Sequence, residues 1–415
     1  MKSDGAKSSF GFSAFFESRL GGHMEHENLD YKNLTPPEKK ERLKEIAKVF
    51  LRLGILAFGG PAVHIAMMDE EIVQKRKWID RTKFMDLIGA TNLIPGPNST
   101  EMAIHLGYER GGVPGLFIAG ICFIFPAMFI VLAIAVGYVR YGTIPKIEGI
   151  LYGIKPVIIA IVFQALLRLG KSVIKGYLAI TVASLVIAGS FFGVSEIPLL
   201  LIAGIFVMVI KNRDQFKAKT LMLYPLPLLA LTDTVLAKNR VGMGLERLFL
   251  TFLKIGSVLY GSGYVLLAFL ESEFIRAYPV ISEKQLLDAV AVGQLTPGPV
   301  FTTATFIGYL ILGIPGALVS TAGIFLPSFL LVWLLKPMIP KLRNSKWAGG
   351  ILDGVNIASL GLMAEVTVRL GMASLIDLLS VSLFAISLFV LTKYKVNSAW
   401  IIICGGAIGF MSQML

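Results

Sequence analysis

The chain of 415 residues is 55% hydrophobic and only 16% charged, against about 25% charged in an ordinary soluble domain, and its mean hydropathy is +0.73. That composition excludes a water-soluble globule and points to lipid, where backbone groups must be satisfied within helices or a closed barrel. The net charge of +12 would suggest nucleic acid in a soluble protein, but here it mostly reports cytoplasmic loops, so no nucleic-acid partner is expected.

Residues 1–46 are polar, with no membrane-length run and no signal-peptide core, and read as a disordered tail. Gly21-Gly22-His23-Met24 looks like a cloning scar, which makes residues 1–23 foreign and Met24 the native start. From Pro36 a charged surface helix is predicted to lead into the first membrane element at about Val49. Charge-free runs then follow at 111–139, 176–195, 197–210, 289–335 and 396–415. They do not alternate as barrel strands would; each is long enough for a helix, and 289–335 must hold two. Ten to thirteen spans in all are compatible with the sequence, some of them re-entrant. Cys122 and Cys404 lie in apolar runs away from any metal-ligand spacing, so neither a disulfide, a metal nor a cofactor is expected.

An internal repeat organises the membrane part. Residues 50–88 align on 252–290 at an offset of 202, which matches Gly59 to Gly261, Glu71 to Glu273 and Asp86 to Asp288, and carries Pro95-Gly96-Pro97 onto Pro297-Gly298-Pro299. After one deleted residue the offset is 201 and pairs Gly107-Tyr108 with Gly308-Tyr309, Pro114-Gly115 with Pro315-Gly316, Gly153 with Gly354, and Arg168-Leu169-Gly170 with Arg369-Leu370-Gly371. The fold class is therefore an all-α polytopic membrane protein of two homologous units, 47–210 and 249–415, joined by a linker at 211–248 with a Pro-broken apolar stretch at 221–231. Residues 69–88 carry Lys75, Arg76, Lys77, Arg81 and Lys83, whereas 271–290 carries Arg276 and Lys284 beside Glu271, Glu273, Glu283 and Asp288. At the other end Arg140 and Lys146 face Lys341, Arg343 and Lys346, a weak reverse bias. The basic loop is expected in the cytoplasm and its match outside, an inverted repeat suited to alternating access; parallel repeats with uneven loop charge are the other reading.

Two places in each unit break the helix. The first is Phe58-Gly59-Gly60-Pro61 followed by His64, matched by Tyr260-Gly261-Ser262-Gly263-Tyr264. The second runs from Asn92 through Pro95-Gly96-Pro97 to Asn98-Ser99-Thr100, matched by Gln294, Thr296, Pro297-Gly298-Pro299, Thr302 and Thr303. Proline removes an N–H and clashes with the preceding turn, so Pro-Gly-Pro interrupts a helix, and in lipid the freed groups need protein or water cover. Half-helix N-termini would then aim N–H donors at a cavity, with the flanking amides and hydroxyls adding donors to a multi-oxygen anion. The alternative is that glycine and proline simply permit close helix packing.

Ionisable groups at membrane depth add to this. Lys155, matched by Asn356, is the foremost anion-binding candidate. Arg168 and Arg369 lie near enough to helix ends to snorkel. Glu101, on one face with His105, and Glu365 are candidates for proton coupling, with pairing to a nearby arginine as the alternative. Gly170-Lys171-Ser172 lacks the earlier glycine of a phosphate-binding loop, since position 165 is Ala165, and no Ser/His/Asp set appears at a recognisable spacing, so no enzyme is expected.

The Phe-Gly-Gly-Pro-x-x-His run at 58–64, Trp78, both Pro-Gly-Pro motifs, the Gly-Tyr after each, and the Phe-Pro and Leu-Pro pairs at 125 and 326 resemble the chromate ion transporter family in its long, two-unit form. The resemblance covers about 50–415 and implies a bacterial or archaeal inner-membrane protein that moves chromate, usually outward to give resistance, with sulfate as the structural analogue. Where that family often has Gln, four residues after the first Pro-Gly-Pro, this chain has Glu101. The expected function is thus ion- or proton-coupled transport of a tetrahedral oxyanion, with an importer or exchanger of sulfate or another oxyanion, or a passive anion channel, as alternatives. The expected partners are the anion and the bilayer, with a homodimer as a possible assembly.

Overall fold

The computed structural model describes residues 31–58, 60–141, 145–213, 242–260, 263, 265–335, 345–394 and 396–412. The tail before residue 31, the run 221–231, Lys341 and Arg343 lie outside them. Among the described residues there is no strand. Unit one comprises α1 (Pro36–Leu56), α2 (Pro61–Met68), α3 (Arg81–Thr91), α4 (Asn98–Tyr141), α5 (Pro145–Val173), α6 (Tyr177–Phe191) and α7 (Glu196–Lys211). Unit two comprises α8 (Leu245–Val258), α9 (Leu266–Glu271), α10 (Glu283–Leu295), α11 (Thr303–Leu335), α12 (Lys346–Ser374), α13 (Leu378–Tyr394) and α14 (Ser398–Ser412). The units correspond helix for helix, through to α7 and α14.

Local chemistry sets the boundaries. The Thr35 N–H donates to the Glu38 carboxylate at 2.8 Å, and α1 then continues unbroken to Leu56, so the charged surface helix and the first membrane element are one helix. Asp80 caps α3 by accepting from the Lys83 N–H, and Ser282 caps α10 by the equivalent bond from Gln285. Among the described residues four helical segments are long and apolar enough to cross a membrane: Asn98–Tyr141, Glu148–Val173, Val300–Leu335 and Lys346–Ser374. The helices α6, α7 and α14, of 15, 16 and 15 residues, are shorter than the roughly 20 that a perpendicular crossing takes.

Two of these, α4 and α11, are folded back on themselves. Gly112 has φ 61° and Gly313 has φ 63°, a region in which a side chain is strained, and each is followed two residues later by a proline that opens the next limb. The fold-back is sharp: the hydroxyls of Thr305 and Thr321 lie 2.7 Å apart although 16 residues separate them, a distance of about 24 Å along a straight helix. The limbs 98–110 and 303–311, like α3 and α10, are thus separate half-helices that cannot cross a bilayer alone.

The helices sort into two packed halves. In one, α1 packs on α4, α8 on α11, and α4 on α11. In the other the units exchange partners: α5 packs on α13 and α14, while α12 packs on α6 and α7. Glycines make that exchange possible. A Cβ on Gly153 would lie 2.8 Å from the Cα of Gly409, and one on Gly354 would lie 2.7 Å from the Cα of Gly204, so these backbones approach as closely as small residues allow. Contact of i with j′ and of i′ with j is the mark of a two-fold relation. With five Lys/Arg in 69–88 against two in the matched 271–290, the two units form an inverted repeat.

Candidate functional site

The helix breaks of the two units meet at this two-fold. The Gly96 N–H donates to the Leu259 carbonyl at 2.8 Å, and the Gly298 N–H donates to the Ala57 carbonyl at 2.9 Å. Leu259 and Ala57 are matched positions, each at the end of its unit's first helix. Each Pro-Gly-Pro tip is therefore bonded to the first break of the opposite unit. Gly96 has φ 136° and Gly298 φ 90°, so the tips need glycine for conformation as well as for space. A Cβ on Gly96 would fall 2.5 Å from the Ser328 hydroxyl and against the Glu101 carboxylate; one on Gly298 would fall 2.8 Å from the Ala127 Cβ. Sequence reasoning aimed these two N–H groups at an anion, and the structure gives them to the other unit instead.

Around the tips, His64 in the first turn of α2 is buried, donates from Nε2 to the Ala57 carbonyl at 3.0 Å, and sets its ring edge-on to Phe123. Gly60 caps α2 at φ 85°, and Pro61 occupies the first helical position. Asn98 donates from Nδ2 to Asn92 Oδ1 at 2.9 Å, bridging the two sides of the tip. Ser99, Thr100 and Glu101 are buried at the start of α4. Glu101 Oε1 accepts from Ser328 at 3.4 Å, whereas its Oε2 and the Thr100 hydroxyl have no hydrogen-bond partner among the described residues. In unit two the Thr296, Thr302 and Thr303 hydroxyls donate to the carbonyls of Val292, Pro299 and Val300. Gly263, Gln294 and Thr303 line one small cavity with Val162, Leu266 and Val300, with room for about one water. Gly59, Gly261 and Ser262 lie outside the described residues.

Lys155 and Glu365 belong to a different set. Lys155 lies 3.9 Å from Asp288, whose other oxygen accepts from the Tyr138 hydroxyl at 2.8 Å. Glu365 accepts from Arg276 through both oxygens at 3.0 Å and from Arg369 one turn on; Arg276 also reaches Glu271 at 2.7 Å. The pairing alternative read for Glu365 is thus the arrangement found.

Sequence reasoning missed three features. The segments Asp69–Lys75 and Ser272–Ala277 are π-helical turns at matched positions, and such turns gather at functional sites. Asp288, Glu271 and Arg276 are partners of the singled-out charges, signalled only by their place among apolar residues. A third is the bracing of the first π turn: Arg76 and Arg110 donate to Glu45 at 2.8 and 3.0 Å beside the Trp78 ring, where the matched pair in unit two is Arg247 over the Tyr278 ring at 5.4 Å.

A family model described as chromate transporter matches residues 44–209 and again 246–410. The chain is 31% identical over 376 residues to the chromate transport protein of Cupriavidus metallidurans, covering 88% of this chain and 92% of that relative. It is 31% identical over 341 residues to a probable chromate transport protein of Synechococcus elongatus, covering 81% and 86%. An uncharacterised transporter of Bacillus subtilis is 30% identical over 126 residues, which are 30% of this chain but 71% of that relative, close to the span of one unit. No solved structure matches.

Proposed function

The chain belongs to the chromate transporter family, and from that premise we propose that it is a secondary transporter of a tetrahedral oxyanion, chromate foremost, moving it out across the inner membrane under an ion or proton gradient. The observation that carries this reading is the meeting of four helix breaks at the two-fold, with polar groups beside them. The first turn of α4 offers the Asn98 and Ser99 N–H groups, which have no acceptor within the helix, and the Thr100 hydroxyl and the Asn92 and Asn98 amides stand next to them. The Gly-Pro tips fix these donors rather than bind. In unit two Gln294 matches Asn92 and shares a cavity with Thr303, and Lys155, held by Asp288 six residues before Gln294 on α10, is the positive charge we assign to the anion. Glu101, buried beside the tip, is the coupling group.

The outward direction rests on the family resemblance rather than on loop charge, since Lys75, Arg81 and Lys83 are each paired with a carboxylate, Glu70, Asp69 and Glu109. Radiolabelled chromate flux in proteoliposomes, with imposed pH and charge gradients, tests the reading. Saturable uptake that follows a gradient and is inhibited by sulfate is expected. Unsaturable flux that follows only the chromate gradient would instead mean a channel, and sulfate movement without chromate would mean a sulfate exchanger.

A further inference from the structure

The inverted repeat makes a difference between the units meaningful. In unit two the hairpin half is covered: α10 packs on α5, α12 and α14, and α9 packs on α12. The matched surface of unit one is open. Val63 is 38% exposed where its match Val265 is 3%, and Met85 is 54% exposed where Leu287 is 2%. Asp86 and Asn92 are exposed on the same surface, whereas Asp288 and Gln294 are buried. A carboxylate and an amide facing hydrocarbon would be costly, so this surface of unit one is wet.

The covered side is held by charge. Arg276 and Glu271 on the unit-two hairpin engage Glu365 and Arg369 on α12, Asp288 faces Lys155 on α5, and Lys284 bonds to Glu148. Carrying each residue to its match and exchanging α5 with α12 gives Asp69 facing Arg168, Gln74 facing Gln164, and Asp86 facing Asn356. Arg168 is exposed and has no ion-pair partner among the described residues, although its match Arg369 is fully engaged.

Building on the transport reading, we propose that this structure is the state in which the approach to the anion site lies open, as far as Asn92, on the side of the basic loop 75–83, and that in the opposite state the half formed by α5–α7 and α12–α14 moves onto α2 and α3 of unit one, where Arg168 meets Asp69. The present closure has several ion pairs, whereas the opposite one offers Arg168 to an Asp69 that is here held by Gln74 and Arg81.

The test places cysteine pairs in a background carrying Cys122→Ser and Cys404→Ser, reconstituted in proteoliposomes. Asp69→Cys with Arg168→Cys and Glu271→Cys with Arg369→Cys are each treated with a short bifunctional thiol reagent, and chromate flux of the parent is measured in parallel. Each pair is expected to cross-link, and each cross-link is expected to stop flux. Failure of the 69/168 pair to react in a protein that transports would overturn the exchange of faces and leave the transport reading standing. Reaction of both pairs without chromate flux in the parent would overturn the cargo and leave the exchange standing. Because removing buried charges can impair folding, Met85→Cys and Leu287→Cys are probed with a membrane-impermeant thiol reagent as well. Met85→Cys should react from the side of loop 75–83 only, and Leu287→Cys from the other side only during turnover. A Leu287→Cys that stays unreactive throughout active transport would overturn the proposal.

Discussion

Gly96 and Gly298 each combine a positive φ with a bond to the other unit, so a side chain there is strained, collides with Ser328 or Ala127, and pries the two breaks apart. The conformational penalty alone is about 1–2 kcal/mol. Gly96→Leu and Gly298→Leu should each abolish chromate flux, because the breaks that frame the site no longer meet, while the protein still elutes as a single species in detergent. Lys155 and Asp288 are mutually dependent: removing the lysine leaves a carboxylate that is 1% exposed without its counter-charge, and breaking such a pair costs about 3–5 kcal/mol. Lys155→Gln should therefore lower the thermal midpoint sharply, and adding Asp288→Asn should restore it. If Lys155 also binds the anion, the double variant regains stability without regaining chromate affinity; recovery of both would reduce the lysine to a structural partner. Glu101→Gln replaces the buried carboxyl by an amide of the same shape. The expected result is unchanged chromate binding and a flattened pH dependence of flux, read by equilibrium binding beside flux across a pH series.

At the scale of the helix, the features that matter are interruptions. Gly112 and Gly313 turn what would be one long span into a half-helix folded against a full one, and the reason is the pairing of a left-handed glycine with a proline two residues later. Those Gly-x-Pro patterns stood in plain view within the repeat, and the length of 289–335 required two helices, but neither showed that the first limb folds back against the second. The exchange of α5 with α14 and of α12 with α7 depends on backbone contact at Gly153 and Gly354. Gly153→Val and Gly354→Val should each separate those helices and lower the yield of folded protein by several-fold, measured by size-exclusion chromatography after extraction. Equal yield and Tm for both would show that the close approach carries no stability.

Across the whole molecule the two units have opposite sidedness. Single cysteines in 75–83 and in 276–284, in the cysteine-free background, should be labelled by an impermeant reagent from opposite sides of right-side-out vesicles, with the first protected inside. Labelling of both from one side would contradict the inverted arrangement. The difference between the two faces belongs to the same scale, since it concerns how one packed half rests on the other rather than any single residue.

The sequence by itself determined the membrane class, the two units, their correspondence and the location of the breaks, because each depends on local composition: apolar length, proline and glycine chemistry, and loop charge. It also marked Lys155, Glu365 and Glu101 as costly residues at membrane depth, since cost follows from burial in an apolar run. Tertiary structure alone decided their partners. Lys155 meets Asp288 across 133 positions and Glu365 meets Arg276 across 89 positions, and separations of that kind leave no periodic trace in the chain. For the same reason the Gly96 and Gly298 N–H groups, which local chemistry offers to an anion, are taken by carbonyls of the opposite unit. Which face is open is likewise a property of packing between halves, and two nearly equivalent repeats encode both answers.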